Sequence, residues 1–120
     1  MPPKTLRELI DCYQRGERIF SGAELDDDPN GDLSGVTLDG IDLSDSVVVA
    51  TFTSSSLRGA KFRNANVKTC DFRRCDLRDA DFSGAALDAT SFIGARLEGA
   101  RFEGATAYSR TLRHCERPDW

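Results

Sequence analysis

The sequence predicts an all-β solenoid, a chain that coils along one axis and turns a corner every five residues. Three observations carry this. Every fifth position from Leu57 to Phe102 is apolar (Leu57, Phe62, Val67, Phe72, Leu77, Phe82, Leu87, Phe92, Leu97, Phe102), an unbroken run in a chain that is only 39% hydrophobic. The position two before each large residue is small, from Ala60 and Ala65 through Cys70, Cys75, Ala80, Ala85 and Thr90 to Ala95 and Ala100. The position two after it is often glycine, as at Gly59, Gly84, Gly94, Gly99 and Gly104, which suits a turn residue of positive φ. Steps of five would scatter side chains around a helix, and on a flat strand an odd step alternates faces. A path that turns once per repeat is required to place the large and small sets inside together.

Taken in chain order, residues 5 to 16 predict an amphipathic helix. Leu6, Leu9, Ile10 and Tyr13 lie on one side, Thr5 and Glu8 form a capping box, and Gly16 is the stop. This helix is expected to lid the first coil. The repeat then begins less strictly, with Phe20 and Leu25 in one register, Leu33, Leu38 and Leu43 in a second, and Val47 and Phe52 in a third. These shifts place three extra residues within Asp26-Asp27-Asp28-Pro29-Asn30 and remove one between Leu43 and Val47. An insertion can loop out at a corner, whereas a deletion tightens one turn. Asp or Asn often precedes the large residue, as in Cys70-Asp71-Phe72, Cys75-Asp76-Leu77, Ala80-Asp81-Phe82 and Ala65-Asn66-Val67, where a short polar side chain can bond nearby backbone at a turn. Residues 109 to 117 predict a short helix begun at Ser109, stopped by Pro118, with Leu112 on its apolar side. Solenoids need such ends, because an open coil presents unpaired strand edges.

The motif resembles the pentapeptide repeat family, whose repeats read A(D/N)LXX. The resemblance covers roughly residues 18 to 108 and implies a right-handed quadrilateral parallel β-helix with four repeats per square turn, a hand that agrees with the general preference of parallel crossovers. Phe52, Phe62, Phe72, Phe82, Phe92 and Phe102 recur every ten positions, which supports four repeats per turn. On that path Phe52, Phe72 and Phe92 stack on one wall, Phe62, Phe82 and Phe102 on the facing one, and Leu57, Leu77 and Leu97 on a third, at about the 4.8 Å spacing of neighbouring strands. The interior then has no room for a ligand. The expected organisation is one domain: an N-terminal helical cap (1–17), the repeat β-helix (18–108) and a C-terminal cap or tail (109–120).

Little in the sequence supports chemistry. The one histidine, His114, lies in the tail, and no nucleophile stands beside an evident base, so no catalytic residue, enzyme activity or cofactor is assigned. Cys70 and Cys75 take the small inward position and are expected to pack as small hydrophobes, while Cys12 and Cys115 belong to the two end segments; none has CxxC spacing. Asp26 to Gly31 matches the DxDxNG opening of a calcium loop, but position twelve is Thr37 instead of a bidentate Glu and Pro29 stiffens the middle, so no metal ligand is named. The start MPPKTLRELI lacks a signal-peptide apolar run, and no stretch reaches membrane-helix length. Cytoplasmic residence without membrane contact is the expectation.

The charges are banded along the chain. Glu24 to Asp45 holds eight acidic residues and no Lys or Arg; Arg58 to Arg78 holds seven basic residues against Asp71 and Asp76; acidic residues again predominate from Asp79 to Glu103. At a twenty-residue offset Lys61 falls beside Asp81 and then Arg101, Lys68 beside Asp88, and Asp76 beside Arg96, which neutralises part of the belt. Arg58 falls beside Arg78, and Arg63 and Arg73 have no opposite partner, so Arg58, Arg63, Arg73, Arg74 and Arg78 form the candidate partner-binding surface. The expected partner is another protein, with a homodimer through a coil end as a further expectation. The resemblance adds an alternative, since some family members mimic duplex DNA and protect the type II topoisomerase DNA gyrase. Against it, a rod of about 22 Å matches duplex DNA bearing about 13 phosphates, whereas this chain nets −4 and its negative bands are interrupted by a basic one. Direct nucleic-acid binding through the Arg58 to Arg78 belt is the third reading.

Overall fold

Each repeat closes on a β-turn. The carbonyl of the large inward residue accepts from the amide of the small inward residue three positions on: Leu57 from Ala60 at 3.1 Å, Phe72 from Cys75 at 3.2 Å, Leu77 from Ala80 at 3.1 Å. The third residue of the turn needs positive φ, as a type II turn demands. Gly59 supplies it at 67°, but so do Asn64 (57°), Thr69 (66°), Arg74 (60°), Asp79 (62°) and Ala89 (59°). Asn and Asp accept this region readily, whereas a β-branched threonine there is strained.

In the computed structural model, which describes residues 3–28 and 31–120, these turns stack into a rod 35 Å long and 23 Å across. Parallel bridges link successive coils at Asp71↔Ser91, Asp76↔Arg96, Asp81↔Arg101 and Ala86↔Thr106. Four bridged positions therefore fill each twenty-residue coil and define four walls. Wall one carries Leu33, Phe52, Phe72 and Phe92; wall two Leu38, Leu57, Leu77 and Leu97; wall three Phe20, Leu43, Phe62, Phe82 and Phe102; wall four Leu25, Val48, Val67 and Leu87. All are buried except Leu97, which is partly so. Strands β1 (Glu24–Leu25) and β2 (Val47–Val48) pair in parallel on wall four.

The phenylalanine ladders form as the ten-residue period predicts. Along wall one the rings stack at 4.9 and 5.4 Å (Phe52–Phe72–Phe92), and along wall three at 4.8 and 5.1 Å (Phe62–Phe82–Phe102). Across the interior they meet edge to face at 5.4 to 6.4 Å. Each buried Phe contributes about 1.5–3 kcal/mol of transfer free energy, and aromatic pairing adds about 0.5–1.5 kcal/mol. Polar groups at the small inward positions find partners inside: Cys70 Sγ donates to the Val48 carbonyl at 3.1 Å, Cys75 Sγ to Phe52 at 2.7 Å and Thr90 Oγ1 to Val67 at 2.8 Å, while Ser55 Oγ lies 3.3 Å from Cys75 Sγ. Cys70 and Cys75 are free and buried, as packing residues should be, and burial pushes the Cys70 thiol up to about 12.

The two register shifts are both present, one displaced from its expected place. Ile19 bridges Asp42, Asp32 bridges Thr51, and Thr51 bridges Asp71, so successive coils run 23, 19 and 20 residues. The first value accommodates the insertion, of which Pro29 and Asn30 lie outside the described residues. The deletion falls later than expected. Val48, fully buried, continues the register of Leu43, and Val47 bridges Asn66 from the outer side. The short repeat therefore runs from Val48 to Phe52, where a single residue, Val49, separates Val48 from the small inward Ala50. Two adjacent valines leave this choice open to pattern reading; buried Ser46 in the small position resolves it.

At one end, helix α1 (Leu6–Gln14) buries Leu9 and Cys12. Thr5 Oγ1 accepts from the Glu8 amide at 3.1 Å, while the Glu8 carboxylate accepts from the Lys4 amide instead of closing the expected box on Thr5. The Tyr13 hydroxyl donates to the Asp39 carbonyl at 2.7 Å, tying the helix to the coil. At the other end the expected helix over 109–117 is absent. Strands β3 (Thr106–Ala107) and β4 (Arg110–Thr111) instead form an antiparallel hairpin through Tyr108, at φ 58°. The reason is the edge beneath: Leu112 donates to Ala105 and accepts from Gly104, both at 2.8 Å, and Phe92 donates to Trp120 at 2.8 Å. An isolated nine-residue helix is marginal in water and would leave these edge groups unpaired.

Two substitutions test this construction. Thr69→Gly removes a strained, exposed turn residue and should raise stability by about 1 kcal/mol, read as a thermal midpoint a few degrees higher by circular dichroism. Phe72→Ala removes a ring that contacts four others and should cost about 3–5 kcal/mol.

Candidate interaction surface

Residues 58 to 78 span one coil, so their seven cations form a ring around the rod. Arg58 and Arg78 lie on wall two in neighbouring coils, Lys61 and Arg63 on wall three, Lys68 on wall four, Arg73 on wall one, and Arg74 at the corner between walls one and two. The structure thus brings Arg58, Arg73, Arg74 and Arg78 onto two adjoining walls and leaves Arg63 on the wall facing Arg73.

The expectation that Arg63, Arg73 and Arg78 stand available is corrected. Arg73 reaches back two positions to chelate Asp71 through Nε and Nη2 at 2.7 to 3.0 Å, and Arg78 does the same to Asp76 at 2.6 to 2.8 Å. Arg63 Nη1 crosses to Asp81 at 2.9 Å. Residues two apart on a strand share a face, so Asp-x-Arg around an inward residue is a pair built into one repeat. Asp81 accordingly turns to Arg63 and not to Lys61, and the Asp88 carboxylate accepts from the Tyr108 amide at 2.6 Å, not from Lys68. Arg58, Arg74, Lys61 and Lys68 have no ion pair among the described residues. Of the five candidate arginines, Arg58 and Arg74 are the free cations, and both are exposed.

The carboxylates before the large residues also serve the turn, as their spacing predicts. Asp32, Asp42, Asp71 and Asp81 accept from the amide two residues on at 2.9 to 3.0 Å. Hydrogen bonds from Arg73 hold the Asp71 carboxyl below its ordinary range, and Arg78 does so for Asp76, with a further contribution from the field of Arg58. Burial pushes Asp81 up, but bonds from Ser83 and Arg63 outweigh it and the net shift is downward.

A second feature lies at the C-terminal end of the rod. A cleft of about 690 Å³ lies between the last coil and the returning tail, lined by Arg63, Ser83, residues 100–103 and residues 114–117. No local pattern signals it, because it exists only where the tail folds back over the coil. Glu116 in the tail is held by Arg110 and Arg113, and His114 Nδ1 lies 3.5 Å from Glu103. Among the described residues no group of three or more His, Cys, Asp or Glu side chains is placed to hold a metal ion. The Asp26 to Gly31 loop lies partly outside the described residues. No helix is long and apolar enough to cross a membrane.

A family model described as pentapeptide repeat region matches residues 29–102. Among solved structures, the pentapeptide repeat protein alr5209 from Nostoc PCC 7120 is 34% identical, with a TM-score of 0.51, over 94% of this chain and 88% of that one. AT2G44920, a pentapeptide repeat protein from the Arabidopsis thaliana thylakoid lumen, is 32% identical over 69% of this chain and 66% of that one, with a TM-score of 0.44. QnrB1, a plasmid-mediated fluoroquinolone resistance protein, is 18% identical over 72% and 62%, with a TM-score of 0.44. No curated protein matches the sequence.

The depressed carboxylates set an acid limit. Their stabilisation is present above the ordinary Asp value of about 3.9 and is lost as pH falls through the lower native values. The thermal midpoint should therefore fall steeply below about pH 4, and an Asp71→Asn/Asp76→Asn variant should lose less between pH 5 and pH 3 than the parent chain.

Proposed function

Because the chain belongs to the pentapeptide repeat family, a family of structural repeat proteins and not of enzymes, we propose that it is a non-enzymatic interaction scaffold that engages a partner protein through its charged outer walls. The observation that carries this is the pairing pattern. A core filled by side chains leaves only the outside to act, and on the outside Arg58 and Arg74 are exposed, on adjoining walls and without an ion pair among the described residues, while Arg63, Arg73 and Arg78 are held by Asp81, Asp71 and Asp76. The scaffold is read as a right-handed quadrilateral β-helix, on the strength of four bridges per twenty residues and family membership. Residues 1–17 are its cap, 18–108 its body and 109–120 its tail, and cytoplasmic residence is part of the same reading.

DNA mimicry toward gyrase is the weaker alternative. A 35 Å length of duplex carries about twenty phosphates, against a net charge of −4 and a ring of cations at mid-length. Direct nucleic-acid binding is weakened in its turn by the carboxylates that occupy Arg63, Arg73 and Arg78.

Affinity capture from the native cell extract, with the parent chain and an Arg58→Glu/Arg74→Glu variant in parallel, tests the reading. A specific protein retained by the parent and at least tenfold reduced on the variant is expected, with no effect on gyrase supercoiling at micromolar protein. Equal retention by both, or duplex binding that falls steeply between two salt concentrations, would overturn it.

A further inference from the structure

The last coil is only half covered. In the coil below, the amides of Leu77, Asp79 and Phe82 donate upward to Arg96, Glu98 and Arg101 at 2.7 to 3.0 Å, and the carbonyls of Cys75 and Ala80 accept from Arg96 and Arg101. One coil later the tail hydrogen-bonds to wall one and to the turn at Gly104; on wall three it lies over buried Phe102 and brings His114 to Glu103, but among the described residues it makes no backbone hydrogen bond to walls two and three. Among the described residues the amides of Leu97, Gly99 and Phe102 have no acceptor, and the carbonyls of Ala95 and Ala100 have no donor. Inward Leu97, Ala95 and Ala100 are the partly uncovered end of the core. The cleft of about 690 Å³ between residues 100–103 and the tail is the space a further rung would enter.

The charges along this edge say what would fit. Two columns of bridged residues climb the rod with alternating sign, Asp76 to Arg96 on wall two and Lys61 to Asp81 to Arg101 on wall three. Both end at the open edge on an exposed arginine with no ion pair among the described residues. Arg117, also exposed and unpaired, closes the cleft from the tail side. Two acids share the edge: Glu103 lies 3.5 Å from His114, an ion pair only when the imidazole is protonated, and Glu98 adds to the field at Arg78, which Asp76 already holds.

We propose that this edge is a binding site for an extended acidic segment of a partner protein, which adds as one more rung over Arg96 to Phe102. Its backbone pairs with the free amides and carbonyls, in the manner of strand addition to an open sheet edge. An apolar side chain covers Leu97, and two carboxylates spaced five residues apart continue the columns above Arg96 and Arg101. The proposal rests on the interaction-scaffold reading, whose surface at Arg58 and Arg74 lies elsewhere on the rod.

The probe is a labelled decapeptide of two tandem Ala-Asp-Leu-Ser-Gly units, titrated into the full chain and followed by amide chemical shifts, with a counterpart bearing Lys for Asp. Saturable shifts at Leu97, Gly99 and Phe102 are expected for the Asp peptide, with affinity at least tenfold weaker in Arg96→Glu/Arg101→Glu, and the preference reversed toward the Lys peptide. Both residues are exposed, and an unchanged thermal midpoint verifies that the variant folds. Absence of shifts at millimolar peptide, shifts indifferent to peptide charge, or sedimentation showing a second copy of the chain already on this edge would overturn the proposal. Arg58→Glu/Arg74→Glu should bind the peptide like the parent. If the peptide fails while capture of a protein through Arg58 and Arg74 persists, the edge site alone is lost.

Discussion

Everything in this fold depends on one constraint: the large inward side chain of each repeat must lie directly on that of the coil below, at the spacing that strand pairing imposes. Rings held about 5 Å apart by parallel bridges stack and cross at the separations aromatic pairs prefer. The number of residues per coil is free to vary only where it does not disturb that contact. The added residues lie in sequence between inward Leu25 and Leu33 and the missing one between Val48 and Phe52, and Leu25, Val48, Val67 and Leu87 still form one buried wall.

The same constraint decides what the outer surface can do. Residues immediately before and after an inward residue point outward on a common wall, so their charges interact within a repeat before they interact between coils. That is why Asp71 and Asp76 claim Arg73 and Arg78, and why, of a band of seven cations in sequence, three are neutralised in space. It also explains how an acid placed before a large residue does two jobs, capping the following turn amide and neutralising an arginine. What remains for recognition is set by exception, at Arg58 and Arg74 on the flank and at Arg96 and Arg101 on the uncovered end.

The repeat body was legible because its signal is strictly periodic: Phe at every tenth position foretells both ladders and their facing walls. Where the signal was degenerate or non-local, reading failed for physical reasons. Val47 and Val48 are equally apolar, so only the burial of Ser46 tells which one faces inward. Ser109 and Pro118 bracket a plausible helix by local rules, yet the unpaired edge at Gly104 and Ala105 draws Leu112 into hydrogen bonds that no local rule contains. An offset of twenty captures only pairs between coils, whereas Asp71–Arg73 and Asp76–Arg78 pair at an offset of two, within Asp-Phe-Arg and Asp-Leu-Arg. The cleft beside Arg101 had no sequence signal, since its second side is the returning tail.

The stacking of parallel coils is tested most directly by inter-strand nuclear Overhauser contacts in the isotope-labelled protein. The account predicts backbone contacts at three changing separations: 23 residues for Glu24 with Val47, 19 for Thr37 with Ser56, and 20 for Asp76 with Arg96. Contacts confined to residues three and four apart, or a single separation throughout the chain, would contradict it.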